Sequence, residues 1–117
     1  MTQEHVKEFV NSRNWESPGV IKDLLLNIVE ETGEAWNIVK WVGPEEQEKL
    51  IQENKDSFKD FVGDQLFLLY RIANIAGVNA EEAVKETLDE YEKRFPVKET
   101  KGKHTNILAG GTDHKYN

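Results

Sequence analysis

Cysteine is absent from the 117-residue sequence. Its absence excludes disulfide bonds, thiolate nucleophiles and cysteine-ligated zinc or iron–sulfur sites. Long apolar runs are absent too, since none approaches the ~20 residues that a membrane-spanning helix needs. The N-terminus shows no charged segment followed by an apolar one, as a secretion signal would. We therefore expect a cytoplasmic protein with no membrane partner.

Positive charge is scarce, with 15 Lys and Arg against 22 Asp and Glu and a formal net charge of −7. A broad nucleic-acid-binding surface carries the opposite sign, so we expect no nucleic-acid partner. Hydrophobic residues make up 38% of the chain and charged residues 32%, which is enough apolar material for one folded domain. We expect a helical domain over residues 1–97 and a basic, glycine-containing C-terminal tail over residues 98–117.

Signals for β-strands are also lacking. No stretch alternates convincingly between apolar and polar residues, and no Asn-Gly or Asp-Gly hairpin turn occurs. Helical spacing of the apolar residues predicts an all-α fold, a four-helix bundle with an extended C-terminal tail. The predicted helices start at Thr2, run from Ser17-Pro18 to about Val42, from about Ser57 to Ala76 and from Asn79 to Pro96, with a short exposed helix or helical linker at residues 45–54.

Acidic residues interrupt the apolar faces of the two central predicted helices. In the second helix, Glu31 falls within the apolar stripe, Glu34 borders the same face and Glu30 shares its flank. In the third helix, Asp64 lies in a heavily apolar segment and Asp60 lies one turn before it. Ionised carboxylates in a low-dielectric interior cost several kcal/mol each, and a hard divalent cation offsets that cost. The pattern predicts a metal site formed by Glu31, Glu34, Asp60 and Asp64.

An alternative interpretation needs no metal. Glutamate is a good helix former, and such acidic patterns are common on solvated helix faces. Asp64 could instead be held by Arg71, two turns along the same helix, or by a base from a neighbouring helix.

Two acidic segments, EETGE at residues 30–34 and DFVGDQLF at residues 60–67, resemble the paired motifs of the MazG-like, all-α nucleotide pyrophosphohydrolases. The segments GVN at 77–79 and RFPV at 94–97, followed by KGK at 101–103, resemble the end of that family's domain. The dCTP pyrophosphatases and small MazG-like proteins share this ending. The resemblance covers roughly residues 18–104.

The resemblance implies hydrolysis of a nucleoside or deoxynucleoside triphosphate to the monophosphate and pyrophosphate, with Mg²⁺, or Mn²⁺, as cofactor. Cations held by Glu31, Glu34 and Asp64 would bridge phosphate oxygens and lower the pKa of an attacking water. Glu30 and Glu31 are the implied catalytic residues, with Glu30 orienting or deprotonating that water. In this family the second and third helices commonly pack against another subunit, so a homodimer or homotetramer is implied.

One position departs from the family pattern. Phe61 stands where the second motif has a glutamate, and a phenyl ring cannot ligate a metal. Asp60, within one turn of Asp64, is the candidate substitute. If Asp60 does not take this role, the site has one carboxylate fewer than the family pattern.

Candidates for substrate binding lie outside the acidic segments. Lys93, Arg94, Lys101 and Lys103 suit the phosphates, although cations at a helix C-terminus also simply offset the helix dipole. Trp36, together with Trp15 and Trp41, is a candidate for stacking on the base, whereas core or dimer-interface packing is the ordinary role of tryptophan. Asn74 could contact a base or ribose edge, or be a polar surface residue.

Two further hypotheses concern function. The chain could be a non-enzymatic acidic helical module that binds a partner protein, with its carboxylates solvated or paired with lysines. It could also be a nucleotide-binding relative whose catalysis is impaired by Phe61.

Overall fold

The computed structural model describes residues 2–104 and 107–111, so residues 105, 106 and 112–117 of the predicted tail lie outside it. The prediction of an all-α fold is confirmed, because the described residues form helices, turns and loops but no β-strand. They contain six α-helices, since the segment predicted as a short helix or linker at residues 45–54 forms a regular helix over Pro44–Glu53 and a short helix follows Pro96. The elements are α1 (Thr2–Asn11), α2 (Val20–Val39), α3 (Pro44–Glu53), α4 (Lys55–Ala76), α5 (Ala80–Arg94), α6 (Val97–Thr100) and a 3-10 turn at Ile107–Ala109.

The chain divides into two compact units between Asn79 and Ala80. In the first unit, α4 is the central helix: it packs against α1 and α2, and α3 contacts both α2 and α4. The buried apolar residues come from three helices, because each of these helices packs an apolar stripe against its neighbours. They are Val6 and Val10 of α1, Leu24 of α2, and Leu68 and Ala73 of α4.

The α2 helix is shorter than the sequence predicts at both ends. It begins at Val20, because the Val20 amide donates to the Ser17 carbonyl in a turn that precedes the helix. Gly19 then precedes the first turn with φ of 81°, in the left-handed region that glycine tolerates. The helix ends at Val39, and Trp41 follows with φ of 67°. The predicted N-cap at Ser17 and the end near residue 42 are therefore wrong.

The other helix ends agree more closely with the sequence pattern. Pro44, expected to stop α2, is the first residue of α3, a position where proline loses no hydrogen bond. Gly77 ends α4 as predicted, with φ of 70°. The Val78 amide then donates to the Ala73 carbonyl at 2.9 Å, which satisfies a carbonyl of the last turn.

Polar and aromatic contacts fix α1 and the following loop against α4. The ring of Phe9 meets those of Trp15 and Phe67 edge to face, with centroids 5.6 and 5.9 Å apart. The guanidinium of Arg71 donates to the Glu16 carboxylate, with Nη2 and Oε1 3.0 Å apart, and to the Trp15 carbonyl. These contacts hold one side of α4 and leave its other side to α2.

The second unit contains α5, α6 and the 3-10 turn. At the end of α5 the rings of Tyr91 and Phe95 lie 5.7 Å apart, and the Arg94 guanidinium lies over Phe95 at 4.9 Å. The Thr100 hydroxyl donates to the Pro96 carbonyl at 2.7 Å within α6. No helix in the described ranges is both long enough and apolar enough to span a bilayer.

Candidate functional site

A cleft of about 380 Å³ lies between α2 and α4 and brings together the four predicted metal ligands. Their spacing of three residues on α2 and four on α4 places each pair on one helix face. Apolar and hydroxyl side chains complete the walls. The lining residues are Glu31, Glu34, Ala35 and Ile38 of α2, and Ser57, Asp60, Phe61 and Asp64 of α4.

The electrostatics of the cleft centre on Glu31, which is half-buried while the other three carboxylates are exposed. Partial burial raises the pKa of Glu31 above its ordinary value, and the negative charges of Glu34, Asp64 and Glu30 raise it further, in that order. Desolvation and like charges both disfavour the ionised form. The cleft therefore gathers negative charge that a bound cation would stabilise.

No base within residues 2–104 and 107–111 neutralises this charge through an ion pair. Arg71, the proposed partner of Asp64, pairs with Glu16 instead. The other ion pairs given by the structure are Lys49 with Glu53 and Arg94 with Glu90, neither of which involves the cleft. Pairing with Arg71 therefore does not explain the position of Asp64.

The carboxylates share the cleft without converging on one point. Across the described ranges, no group of three or more acidic or histidine side chains is already arranged to hold a metal ion. The donor set is nevertheless carboxylate oxygen, which suits Mg²⁺ and Mn²⁺. Phe61 adds a ring to the wall at the position where the resemblance implies a glutamate. The carboxylate chemistry of these residues fits a divalent cation, and their metal-binding role stays a prediction.

The predicted site residues Glu30, Trp36 and Trp41 do not line the cleft. Glu30 is exposed beside Glu31 and does not line the cleft. Trp36 and Trp41 pack edge to face with centroids 6.2 Å apart, and Trp41 is 89% exposed. The Lys40 ammonium lies 5.2 Å from the Trp36 ring centroid. The contact of this exposed aromatic pair with a base stays a prediction.

Asn74 has a structural role in the first unit. Its Oδ1 accepts a hydrogen bond from Gln3 Nε2 at 3.0 Å, and its Nδ2 donates to the Gln3 carbonyl at 3.3 Å. Asn74 does not line the acidic cleft. Its predicted contact with a base or ribose is neither required nor tested by this arrangement.

The basic candidates all belong to the second unit. Lys93, Lys101 and Lys103 are exposed there, and Arg94 is half-buried beside its aromatic neighbours. Their predicted contact with phosphates stays a prediction.

The sequence pattern does not predict a side-chain link that joins α2 and α4. Gln65 Nε2 donates to Thr32 Oγ1 at 2.8 Å and to the Ile28 carbonyl at 3.2 Å. Thr32 Oγ1 in turn donates to the Ile28 carbonyl at 2.8 Å. The sequence gives one indication of this link, which is that Thr32 directly follows Glu31 and Gln65 directly follows Asp64.

An all-helical domain with a carboxylate cleft between two packed helices agrees with one family of nucleotide hydrolases. The sequence model of a protein family, the MazG nucleotide pyrophosphohydrolase domain, matches residues 21–98, a range that contains both acidic segments. The chain belongs to this MazG family, and the prediction from the paired motifs is confirmed.

Similar proteins agree with this assignment. The chain is 28% identical over 110 residues to dCTP pyrophosphatase 1 of Bos taurus, a match that covers 90% of this chain and 65% of the relative. The protein of the same name from Rattus norvegicus is 28% identical over 108 residues, covering 88% and 64%. The chain thus spans slightly less than two thirds of the length of these curated relatives.

The fold is also similar to a solved structure. A pyrophosphatase from Archaeoglobus fulgidus matches with a TM-score of 0.70 and 26% sequence identity. The match covers 80% of this chain and 87% of that one. The expected MazG-like helical fold is therefore confirmed.

The raised pKa of Glu31 gives a prediction about stability. Between the ordinary value of 4.5 and the raised value, the folded chain binds more protons than the unfolded chain, so the free energy of unfolding falls as pH rises. We expect Glu31→Gln to melt at a higher temperature than the parent chain at pH 7 without metal, and to lose this advantage at acidic pH. Thermal melts in a chelating buffer between pH 4 and pH 8 measure the difference.

The matched control is Glu48→Gln, which removes the same charge from an exposed position on α3. An equal gain in this control, or a lower melting temperature for Glu31→Gln at pH 7, would contradict the prediction.

Proposed function

We propose that this protein hydrolyses a nucleoside or deoxynucleoside triphosphate to the monophosphate and pyrophosphate, with Mg²⁺ as its cofactor and the cytoplasm as its location. The observation that carries the proposal is the cleft that Glu31, Glu34, Asp60 and Asp64 share between α2 and α4. Membership of the MazG family and the names of the similar pyrophosphatases support the same reaction.

The cleft residues divide into two roles. Glu31, Glu34, Asp60 and Asp64 would hold the divalent cation through carboxylate oxygens. When bound, the cation supplies neutralisation of phosphate charge and activation of water. Glu30, exposed beside Glu31, would orient a water molecule and accept its proton as the oxygen attacks phosphorus and the α–β phosphoanhydride bond breaks. Phosphoryl transfer needs mainly such positioning and charge stabilisation from the protein.

The remaining candidates would bind the substrate and not the cation. We propose that Lys93, Arg94, Lys101 and Lys103 contact the phosphates through charge-assisted hydrogen bonds. The exposed pair of Trp36 and Trp41 would stack on the base. Asn74 is a weaker candidate, for contact with a base or ribose edge, because its amide already bonds Gln3. Stacking and charge together favour a nucleotide over inorganic pyrophosphate.

The direct test is product analysis with a panel of nucleoside and deoxynucleoside triphosphates in the presence of Mg²⁺. We expect equimolar pyrophosphate and monophosphate from at least one substrate. Asp64→Asn and Glu34→Gln should lower the rate by about a hundredfold, because each removes a ligand that stabilises the transition state.

The exposed Glu48→Gln of α3 serves as the control and should keep the parent rate. Failure to release pyrophosphate across the panel, without a thermal shift on adding Mg²⁺ or Mn²⁺, would instead favour a non-enzymatic interaction module.

Phe61 favours a second candidate, a relative that binds nucleotide with impaired turnover. Its ring occupies the cleft wall between Asp60 and Asp64, so a glutamate there would add a ligand to the set. We expect Phe61→Glu to lower the Mg²⁺ concentration needed for half-maximal turnover by about tenfold. Titrating activity against Mg²⁺ measures this change.

Phe61→Gln is the control for removing the ring without adding charge, and should not reproduce the gain. Equal Mg²⁺ dependence in Phe61→Glu and the parent chain would show that position 61 does not limit the metal site. Turnover in Phe61→Glu but not in the parent chain would support the hypothesis that the protein is a nucleotide-binding relative with impaired catalysis.

Exposed apolar stripes on the two cleft helices support a homodimer or homotetramer. Their spacing of three and four residues gives each helix an apolar face in addition to the one it buries. Val29, for example, is 66% exposed. Monomers rarely leave large apolar patches in water, so we propose that a second copy covers these stripes. The stripes consist of Leu25, Leu26 and Val29 on α2, and Val62, Leu66 and Leu69 on α4.

We expect Leu69→Glu to shift the assembly towards monomer, because it places a charge in the proposed interface. Sedimentation velocity at several protein concentrations measures the shift. Leu88→Glu on α5 is the matched control, since Leu88 is 56% exposed and Leu69 is 49% exposed. A monomeric parent chain, or the same sedimentation for the parent and Leu69→Glu, would contradict the proposal.

A further inference from the structure

The link between Thr32 and Gln65 lies directly beside the acidic cleft. Thr32 follows Glu31 on α2, and Gln65 follows Asp64 on α4. In the described part of the chain, the side-chain hydrogen bonds that the structure gives between these two helices are the two that Gln65 Nε2 donates, to Thr32 Oγ1 and to the Ile28 carbonyl. A polar link therefore joins the helices at residues that directly follow two of the cleft carboxylates in the sequence.

Repulsion within the cleft makes such a link useful. Glu31 experiences the charges of Glu34 on its own helix and of Asp64 on the other, and repulsion between Glu31 and Asp64 acts to separate α2 from α4. Apolar packing opposes separation but is non-directional, so it permits small shifts of one helix along the other. A hydrogen bond requires a defined distance and angle, and so fixes the register.

We propose that Thr32 and Gln65 are positioning residues that hold α2 and α4 in the register that keeps Asp64 opposite Glu31, and thereby set the affinity of the cleft for a divalent cation. The inference rests on the proposed function, because it assumes that the cleft binds the cation.

The hydrogen bonding of Gln65 itself argues against a purely stabilising role. The Thr32 hydroxyl already donates to the Ile28 carbonyl within α2, so loss of the Gln65 amide strands neither group. Gln65 Oε1 is buried and accepts no hydrogen bond within the described residues. Because a buried acceptor without a donor is destabilising, its removal offsets the loss of the two donated hydrogen bonds, and we expect an apolar side chain at this position to keep the stability of the chain.

The test separates cation affinity from stability. Mn²⁺ binding to the full chain is measured from the electron paramagnetic resonance signal of free Mn²⁺, and metal-free melting temperatures are measured alongside. We expect Gln65→Met and Thr32→Val to weaken the Mn²⁺ affinity by about tenfold. Gln65→Met should keep or raise the melting temperature. Thr32→Ser retains the hydroxyl and should keep the parent affinity.

Gln47→Met is the matched control, since Gln47 also donates to a backbone carbonyl, that of Val42, at 2.9 Å outside the cleft. Its affinity for Mn²⁺ should equal that of the parent chain. Equal Mn²⁺ affinity in the parent chain, Gln65→Met and Thr32→Val would overturn the positioning role and leave the proposed function standing. Failure of the parent chain to bind Mn²⁺ would overturn both. A parallel loss of affinity and melting temperature in Gln65→Met would reduce the link to a structural contact and overturn the inference.

Discussion

Repulsion among carboxylates in the cleft between α2 and α4 is the constraint on which the rest of the account depends. Glu31 is partly removed from water, and three neighbouring acids raise its pKa. The arrangement costs folding free energy that a chain selected only for stability would avoid, for example with an apolar residue at position 31. A divalent cation that binds the folded chain relieves this repulsion and so stabilises the fold. The negative charge that destabilises the metal-free chain is therefore the charge that attracts the cation.

The fold serves this cleft by holding α4 from two sides. On one side, Arg71 with Glu16 and the ring of Phe9 against Phe67 fix α1 and its loop to α4. On the other side, α2 contributes Leu24 to the core and Glu31 to the cleft, one face supplying both packing and chemistry. Rigid helices suit a site in which the distances between charges matter, because a regular helix fixes side-chain spacing more closely than a loop does.

Sequence patterns predict the helices and the grouping of the acids because both follow from local periodicity. The spacing of Glu31 from Asp64 and the role of Gln65 depend on how α2 packs on α4, which no single-helix pattern contains. The predicted start of α2 is wrong because Ser17-Pro18 belongs to a turn that precedes the helix and does not cap it. Asn74 lies on the predicted helix, but its hydrogen bonds with Gln3 join residues 71 positions apart in the chain, which local periodicity does not reveal.

The most direct measurement of the central claim is a map of where Mn²⁺ binds. Paramagnetic broadening of backbone amide resonances, recorded during titration with Mn²⁺, reports proximity to the ion along the whole chain. The account predicts that broadening begins around Glu31 and Glu34 on α2 and around Asp60 and Asp64 on α4, and that Asp64→Asn removes it. Broadening that begins at the acidic residues of α1 or α3, or that survives Asp64→Asn unchanged, would contradict the account.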